Sequence, residues 1–215
     1  MKGAYAVFGA GSFGSKLATE LSEAGHYVVV VDCNRDAIMS IRDKVTEALV
    51  ADVSNPDVIR ELNVKKFEAI IMGMSSHFED LILALTLAKQ EGAGKIYVKA
   101  KSEIQKRILQ RLGADEVIQP DLDVAERLCT RLSMSKVGDM FEFRGSFIAE
   151  VGIPRSMVSK TIRSLDLRNR YNITILLVKK PGQEMTTVWD PNMVLEAEDR
   201  LVVIGAEKSI TEVFK

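Results

Sequence analysis

The stretch "AVFGAGSFGSKLATELSEAGHYVVVVD", residues 6 to 32, decides the fold. It runs strand, glycine turn, helix, strand, and ends on one acid. Gly9, Gly11 and Gly14 make G-x-G-x-x-G. Gly9 can adopt turn angles closed to residues with a side chain. Gly11 lets a pyrophosphate approach the main chain, and Gly14 lets the next helix pack close to the sheet. That helix, expected over Phe13 to Ala24, aims its free N–H groups and positive dipole end at the phosphates. Asp32 closes the second strand about 20 residues on, where a carboxylate can accept both hydroxyls of a ribose. The pattern implies a nucleotide site. A flavodoxin-like sheet with a glycine turn and a surface aspartate is the plainer alternative.

Outward from this stretch, strands and helices alternate. Short apolar runs occur at "YAVFG", "YVVVVD", "EALVAD", "EAIIMGM", "KIYVKA" and "DEVIQP", as strands buried on both faces require. Helices are expected at Arg35 to Lys44, Pro56 to Leu62, His77 to Gln90 and Glu103 to Leu112. Asn55 before Pro56 is a cap with proline in the first turn, and "EGAG" and "LGAD" supply glycine stops. The fold class is therefore α/β: a Rossmann-like, doubly wound parallel sheet over residues 1–119. A connecting helix follows at 120–135, with Val124, Leu128, Leu132 and Met134 on one stripe, suited to a connector or dimer arm. Residues 136–215 change grammar and predict a small α+β domain. "MFEFRGSFIAEVGIP" suggests a hairpin at Arg144-Gly145. "SKTIRSLDLRNRY" reads as a short helix plus a turn, "NITILLVKK", "MTTVW" and "DRLVVIG" as strands, and a last helix starts near Glu207.

The totals exclude several classes. The 215 residues carry 47% hydrophobic residues and a net charge of -1, so no basic footprint recommends nucleic acid. Two cysteines, Cys33 and Cys129, are too few for a disulfide framework and fit a reduced cytosolic protein. The first residues enter a strand directly, so no signal peptide is expected. "YVVVV" falls far short of the ~20 apolar residues that span a bilayer. There is no Walker motif and no zinc spacing. A dehydrogenase needs an acid or base against its cofactor, and only His26 and His77 are available. His26 suits a structural turn end. His77 follows the fourth strand, where ligands bind, but helix-start chemistry with Ser75 or Ser76 as cap also accounts for it. Cys33 beside Asp32 has no C-x-x-C partner and is read as a small strand-end residue. The balance favours binding over turnover. A compact NAD-dependent oxidoreductase using His77 is the rival. An NADH-reading transcription factor is disfavoured by the near-neutral charge.

"YAVFGAGSFGSKLATEL", "VVVVDCNRDAI", "ALVADVSN", "IYVKAKSEIQKRILQRLGADEVIQPDLDVAERL" and "RSLDLRNRYNITILLVKK…DRLVVIGAEKSI" resemble regulatory subunits of bacterial Ktr/Trk potassium uptake systems. The first part is similar to an RCK (KTN) nucleotide-binding domain and the second to the RCK/TrkA C-terminal domain. The resemblance implies a cytosolic gating subunit rather than an enzyme. It implies a homodimer, and an octameric ring on the inner face of the membrane, beneath an integral-membrane potassium-translocating partner. ATP or ADP, or NAD or NADH, would be the ligand.

Carried over by position, the resemblance assigns Gly9, Ala10, Gly11, Ser12, Phe13 and Gly14 to phosphates. It assigns Asp32 to the ribose, and Cys33, Asn34 and Arg35 to the adenosine border. Asp52 would face the adenine edge and Val53 its apolar wall. Ser75 and Ser76 would lie near phosphate or sugar, and Lys99 and Lys101 would reach phosphate. Arg35, Lys99 and Lys101 equally suit solvated charges, and Asp52 a turn cap with Asn55. Two departures stand out. Ktr-type members often place Arg between the second and third glycines to meet the terminal phosphate, where this chain has Ser12. Some members use a Glu after the proline behind the sixth strand to help hold a divalent cation, where this chain has Asp121. A helix N-terminal acid is the plainer role for Asp121. Finally, "VSKTIRSLDLR" is similar to a segment that binds cyclic di-AMP in some potassium-uptake regulators, with Arg163 and Arg168 as phosphate partners. Packing of Val158, Ile162 and Leu165 on the small sheet accounts for the same segment.

Overall fold

A computed structural model describes residues 3–74, 77–133, 137–188 and 190–214. The chain divides into two compact units, Met1–Asp121 and Leu122–Lys215.

In the first unit, β1 (Ala4–Phe8), α1 (Ser12–Glu23), β2 (Tyr27–Asp32), α2 (Arg35–Ile41), β3 (Glu47–Val50), α3 (Pro56–Glu61), β4 (Ala69–Met72), α4 (Phe78–Gln90), β5 (Lys95–Lys99), α5 (Glu103–Arg111) and β6 (Glu116–Ile118) alternate. All neighbouring strands pair in parallel, in the order β3-β2-β1-β4-β5-β6. The α/β doubly wound expectation holds. The order reverses between β1 and β4, which opens a crevice at the carboxyl ends of those strands.

Strand side chains alternate between two apolar layers, as a period of two demands. Ala6, Phe8, Val29, Val31, Ile70 and Met72 pack with Ile59 of α3, Leu81 and Leu85 of α4, and Leu109 of α5. Val7, Val28, Val30 and Ile71 face the other way, onto Ala18 of α1 and Ile38 and Ile41 of α2. The Val-rich β2 is buried on both faces because each of its valines belongs to one of these layers.

Helix ends follow local chemistry. Asn34 accepts from the N–H groups of Asp36 and Ala37 and caps α2, and Asn55 accepts from Asp57 with Pro56 at the first turn of α3. The α2 region tightens into a 3₁₀ turn over Arg42–Lys44 instead of staying α-helical to Lys44. His26 is structural: its Nδ1 accepts the Gly3 N–H at 3.0 Å and its ring meets Tyr5 edge-on.

In the second unit, α6 (Pro120–Ser133), whose first two residues close the first unit, leads into a five-stranded antiparallel sheet. The elements of this unit after α6 are β7 (Val137–Phe143), β8 (Ser146–Gly152), α7 (Ile162–Leu165), α8 (Leu167–Tyr171), β9 (Thr174–Lys179), β10 (Thr186–Thr187), β11 (Arg200–Gly205) and α9 (Glu207–Val213). Strand order is β10-β9-β11-β8-β7. The β7–β8 hairpin turns at Arg144 and Gly145, with φ of 51° and 82°, the two positive angles of a tight primed turn. Between α7 and α8, Asp166 takes a left-handed conformation at φ 47°, so the segment expected as a short helix plus a turn is two short helices. Leu165, Leu167, Ile173, Leu201, Val203, Ile210 and Phe214 form this unit's own core, with Val158 and Ile162 packed against it. Asp199 is buried and ion-paired to Lys180 at 2.7 Å.

Candidate functional site

The glycine turn is the first built element. Gly9 has φ +100°, and a Cβ there would meet the Met74 nitrogen at 2.7 Å. Gly14 lies beneath the turn, where a Cβ would sit 1.9 Å from the Gly9 carbonyl oxygen. Gly11 has nothing within 4 Å of its would-be Cβ. The space over Gly11 is therefore open while that around Gly9 and Gly14 is closed. Gly11 is also the N-cap of α1, with no side-chain cap and no acid in the first turn. The first N–H groups of α1 thus keep their capacity for an anion.

Asp32 stands beside this turn. Its Oδ2 accepts the Ala10 N–H at 2.6 Å and its Oδ1 accepts the Asn34 N–H at 2.8 Å. A carboxylate has about four lone-pair positions, so these two bonds orient it and leave capacity for a diol. Asp52 accepts from the N–H and hydroxyl of Ser54 at 2.9 and 2.7 Å. The Ser54 hydroxyl and then its N–H hold the Asp52 carboxyl below the usual carboxylate range. Burial, then the neighbouring Asp32 charge, pushes the Cys33 thiol up, which makes it a poor thiolate at neutral pH.

These groups line a cleft of about 460 Å³ that runs from β3 across the switch point to β5. Of the residues named from sequence, Gly9, Ala10, Gly11, Ser12, Phe13, Asp32, Cys33, Asn34, Asp52, Val53 and Lys99 line it. Gly14 underlies the turn. Arg35 opens α2, and Lys101 gives its N–H to Gln105; neither lines the cleft. Ser75 and Ser76 lie outside the described residues. The N-cap of α4 is His77, which makes no side-chain cap bond.

Sequence reading missed Met74 and Asp80, which also line the cleft with His77. Asp80 was visible only as a first-turn acid in "HFED". His77 is 80% exposed, with its Nδ1 3.9 Å from the Asp80 carboxylate.

Lys99 is largely buried. Its ammonium pairs with Asp121 at 2.9 Å and lies 5.8 Å from the centre of the Phe13 ring. With Phe13 and Ser12 it also borders a second groove of about 430 Å³, beside Lys16, Leu17, Glu20, Pro120 and Asp121. Asp121 is thus matched by a lysine. Among the described residues no group of three or more His, Cys, Asp or Glu could hold a metal ion. Arg163 and Arg168 lie elsewhere, exposed on α7 and α8 of the second unit. No helix among the described residues is long and apolar enough to cross a membrane.

A doubly wound sheet with a glycine turn, an uncapped α1 and a strand-end acid, followed by a small antiparallel unit, is an architecture shared with a solved RCK domain. The chain belongs to the TrkA-N domain family, matched over residues 5–120, and carries a TrkA-C domain over 147–215. It is 28% identical over 212 residues to the Ktr system potassium uptake protein C of Bacillus subtilis (strain 168), covering 98% of this chain and 96% of that one. It is 29% identical over 213 residues to the Ktr system potassium uptake protein A of Vibrio alginolyticus, covering 98% and 96%. Among solved structures, the GsuK RCK domain superposes with a TM-score of 0.65 at 21% identity, over all of this chain and 48% of that one. The GsuK channel bound to NAD gives 0.63 at 21%, over 99% and 39%. The chain spans less than half the length of those two polypeptides.

Proposed function

We propose that this chain is a nucleotide-sensing regulatory subunit that gates a membrane potassium-translocating partner. The observation that carries the reading is the cleft. An open glycine turn under an unopposed helix end sits beside an oriented Asp32 carboxylate. Full-length similarity to the two Ktr potassium uptake proteins supplies the transport context. In this reading phosphates rest on Gly9–Gly14, a ribose diol on Asp32, and adenine between Asp52 and the apolar wall of Ala37, Ala51 and Val53.

The ligand is an adenine nucleotide: ATP, ADP, NAD or NADH. It acts by binding two shapes of an assembly with different affinity, because equal affinity would shift no population. Exposed apolar side chains support self-association. Val124, Leu128 and Leu132 on α6, and Ile104 and Ile108 on α5 with Leu112 at its C-cap, are each more than a third exposed, in stripes at helical spacing. A homodimer, and a ring built from it, would cover them. The place of action is the cytoplasmic face of the membrane, reached through the partner. Arg163 and Arg168 offer a second input, a phosphate-bearing messenger such as cyclic di-AMP.

The test is potassium flux in vesicles carrying the membrane partner with this subunit. Nucleotide-dependent flux in wild type, lost in Asp32→Ala, is expected. Flux independent of nucleotide would overturn the reading. The position of His77 in the cleft favours one rival, an oxidoreductase. Turnover of NADH with small carbonyl substrates, lost in His77→Ala, would establish that rival.

A further inference from the structure

The second unit presents an apolar surface that its own core does not use. Strand register sorts its sheet into two faces, because side chains alternate along each strand. Leu201, Val203, Ala149 and Val151 share a core with Leu165, Leu167 and Ile210 of α7, α8 and α9. The residues between them on the strands point the other way. On that side Val202 pairs with Leu177, Ile204 pairs with Ile148, Ile148 pairs with Phe141, and Phe143 follows two residues on. None of these six belongs to a core cluster of the described residues. Phe141 and Phe143 are each more than half exposed. An antiparallel sheet with one face in water alternates apolar and polar residues. β11 instead reads Leu-Val-Val-Ile, the pattern of a strand covered on both sides. A contiguous patch of this kind marks an interaction surface.

The face also has a direction. At one end, two residues from Leu177 and Val202, Lys179 and Arg200 pair with one another and are exposed. Phe143 lies at the other end, and Glu150 flanks Val202, half-buried. Between the Ser146 and Glu150 positions of β8 the apolar body runs about 13 Å, at about 3.3 Å per residue. A fitting occupant is apolar along that length and acidic at one end.

α6 has this form. Val124, Leu128 and Leu132 recur every fourth residue and are exposed, a stripe about 12 Å long at 1.5 Å per residue. Its carboxylates, Asp121, Asp123 and Glu126, all fall in the first two turns. Laid antiparallel to β8, the helix sets its stripe along the apolar body and its acidic end at Lys179 and Arg200. The stripe and the two phenylalanines are both open in the single chain, so the helix that covers the face comes from another copy. A two-fold axis closes both contacts at once, since each copy gives a helix and receives one.

Resting on the homodimer proposed above, we infer that the outer face of the second unit's sheet is the docking surface for α6 of a second copy. The sheet face, and not a second α6, is what covers the helix.

The test is directional crosslinking of the full-length protein in a Cys33→Ser, Cys129→Ser background. Chains carrying Leu128→Cys are co-expressed with chains carrying Ile148→Cys and treated with a short bismaleimide. A crosslinked dimer is expected from the mixture and from neither variant alone. Ile148→Cys joined to itself means that sheet meets sheet, and Leu128→Cys joined to itself means that helix meets helix. Either result, or no crosslink in the mixture, overturns the assignment. Should the half-buried Ile148 change disturb the sheet, two exposed positions still decide by sedimentation. Phe141→Asp and Leu132→Asp are each expected to weaken dimerisation at least about 30-fold, the scale of losing an interface anchor, with thermal unfolding unchanged. Dimers of undiminished strength in both variants overturn this surface and leave the homodimer standing. A wild type that stays monomeric at micromolar concentration overturns the homodimer and this surface together.

Discussion

The two units of this chain solve the same problem, a buried apolar core, with opposite devices at their vulnerable points. In the first unit the vulnerable point is backbone space. Two glycines, Gly9 and Gly14, let β1, α1 and the segment after β4 approach more closely than any side chain allows, and Gly11 leaves open the space that the site occupies. In the second unit it is a buried charge. Lys180 reaches Asp199, whose side chain is fully buried, and also the Val194 carbonyl, so tying the end of β9 to the start of β11. The first device makes an opening for a ligand. The second closes a sheet. A ligand-dependent regulator needs one unit that accepts a small molecule and one that holds its shape.

The sharpest way to break this comparison is Gly14→Val. A Cβ 1.9 Å from a backbone oxygen cannot be relieved by side-chain motion, and a loss of at least about 4 kcal/mol is expected. Hydrogen exchange should lose protection through β1, β2 and β4 while β8, β9 and β11 keep theirs, because the described core residues of the second unit are its own. The mirror variant is Lys180→Met. It leaves Asp199 buried without its cation, which should cost about 3–5 kcal/mol, with protection lost in the second unit instead. Equal damage to both units by either variant would mean that they do not fold separately.

Smaller effects sharpen the contrast within the first unit. Asp32→Ala should weaken any ribose-bearing nucleotide by about 1–3 kcal/mol, the scale of charge-assisted hydrogen bonds; titration calorimetry measures it. Asp115 works only in the scaffold. Its carboxylate accepts from Lys89 at 2.7 Å and from the Ile96 N–H at 2.8 Å, and the lysine, then the N–H, hold its carboxyl below the usual range. A carboxyl with a lowered folded pKa stabilises the fold above its unfolded value, near pH ~4, and loses that contribution as pH falls through the folded value. Denaturant unfolding of Asp115→Asn should therefore show a deficit of up to about 1 kcal/mol at pH 7, vanishing in strong acid. Nucleotide affinity should be unchanged. The smallest effect is chemical. Cys33 lines the cleft and its thiol stays protonated at neutral pH, so alkylation should be slow and slower still with saturating nucleotide, read by mass spectrometry of the Cys33 peptide.

Legibility in the sequence divided along the same line. The first unit is written locally: glycine spacing, valine runs and Asn-Pro caps each fix a turn or an element within a few residues, and the parallel order follows from strict alternation. The side of the cleft built on β2 and β3 was legible for the same reason, since Asp32 closes β2 and Asp52 follows β3 by two residues. The far half was not. That Lys99 would be met by Asp121, across about 20 residues, depends on where β5 and the start of α6 meet in space, and no period encodes it. Asp80 carries no motif of its own in the sequence, because its entry into the cleft depends on how α4 leaves β4. In the second unit the Arg144-Gly145 turn was readable, but β11 lying between β9 and β8 is a pairing of distant segments. The Lys180–Asp199 pair carries no local mark either.

The central claim is that an adenine nucleotide occupies the switch-point cleft and is sensed there without being converted. Hydrogen exchange of the full-length protein with and without saturating NADH tests it most directly, provided the nucleotide is recovered and weighed afterwards. Slowed exchange over Gly9–Gly14, Asp32–Asn34 and Asp52–Val53, with NADH returned intact, is expected. Protection confined to other segments, or NADH returned oxidised by turnover, would contradict it.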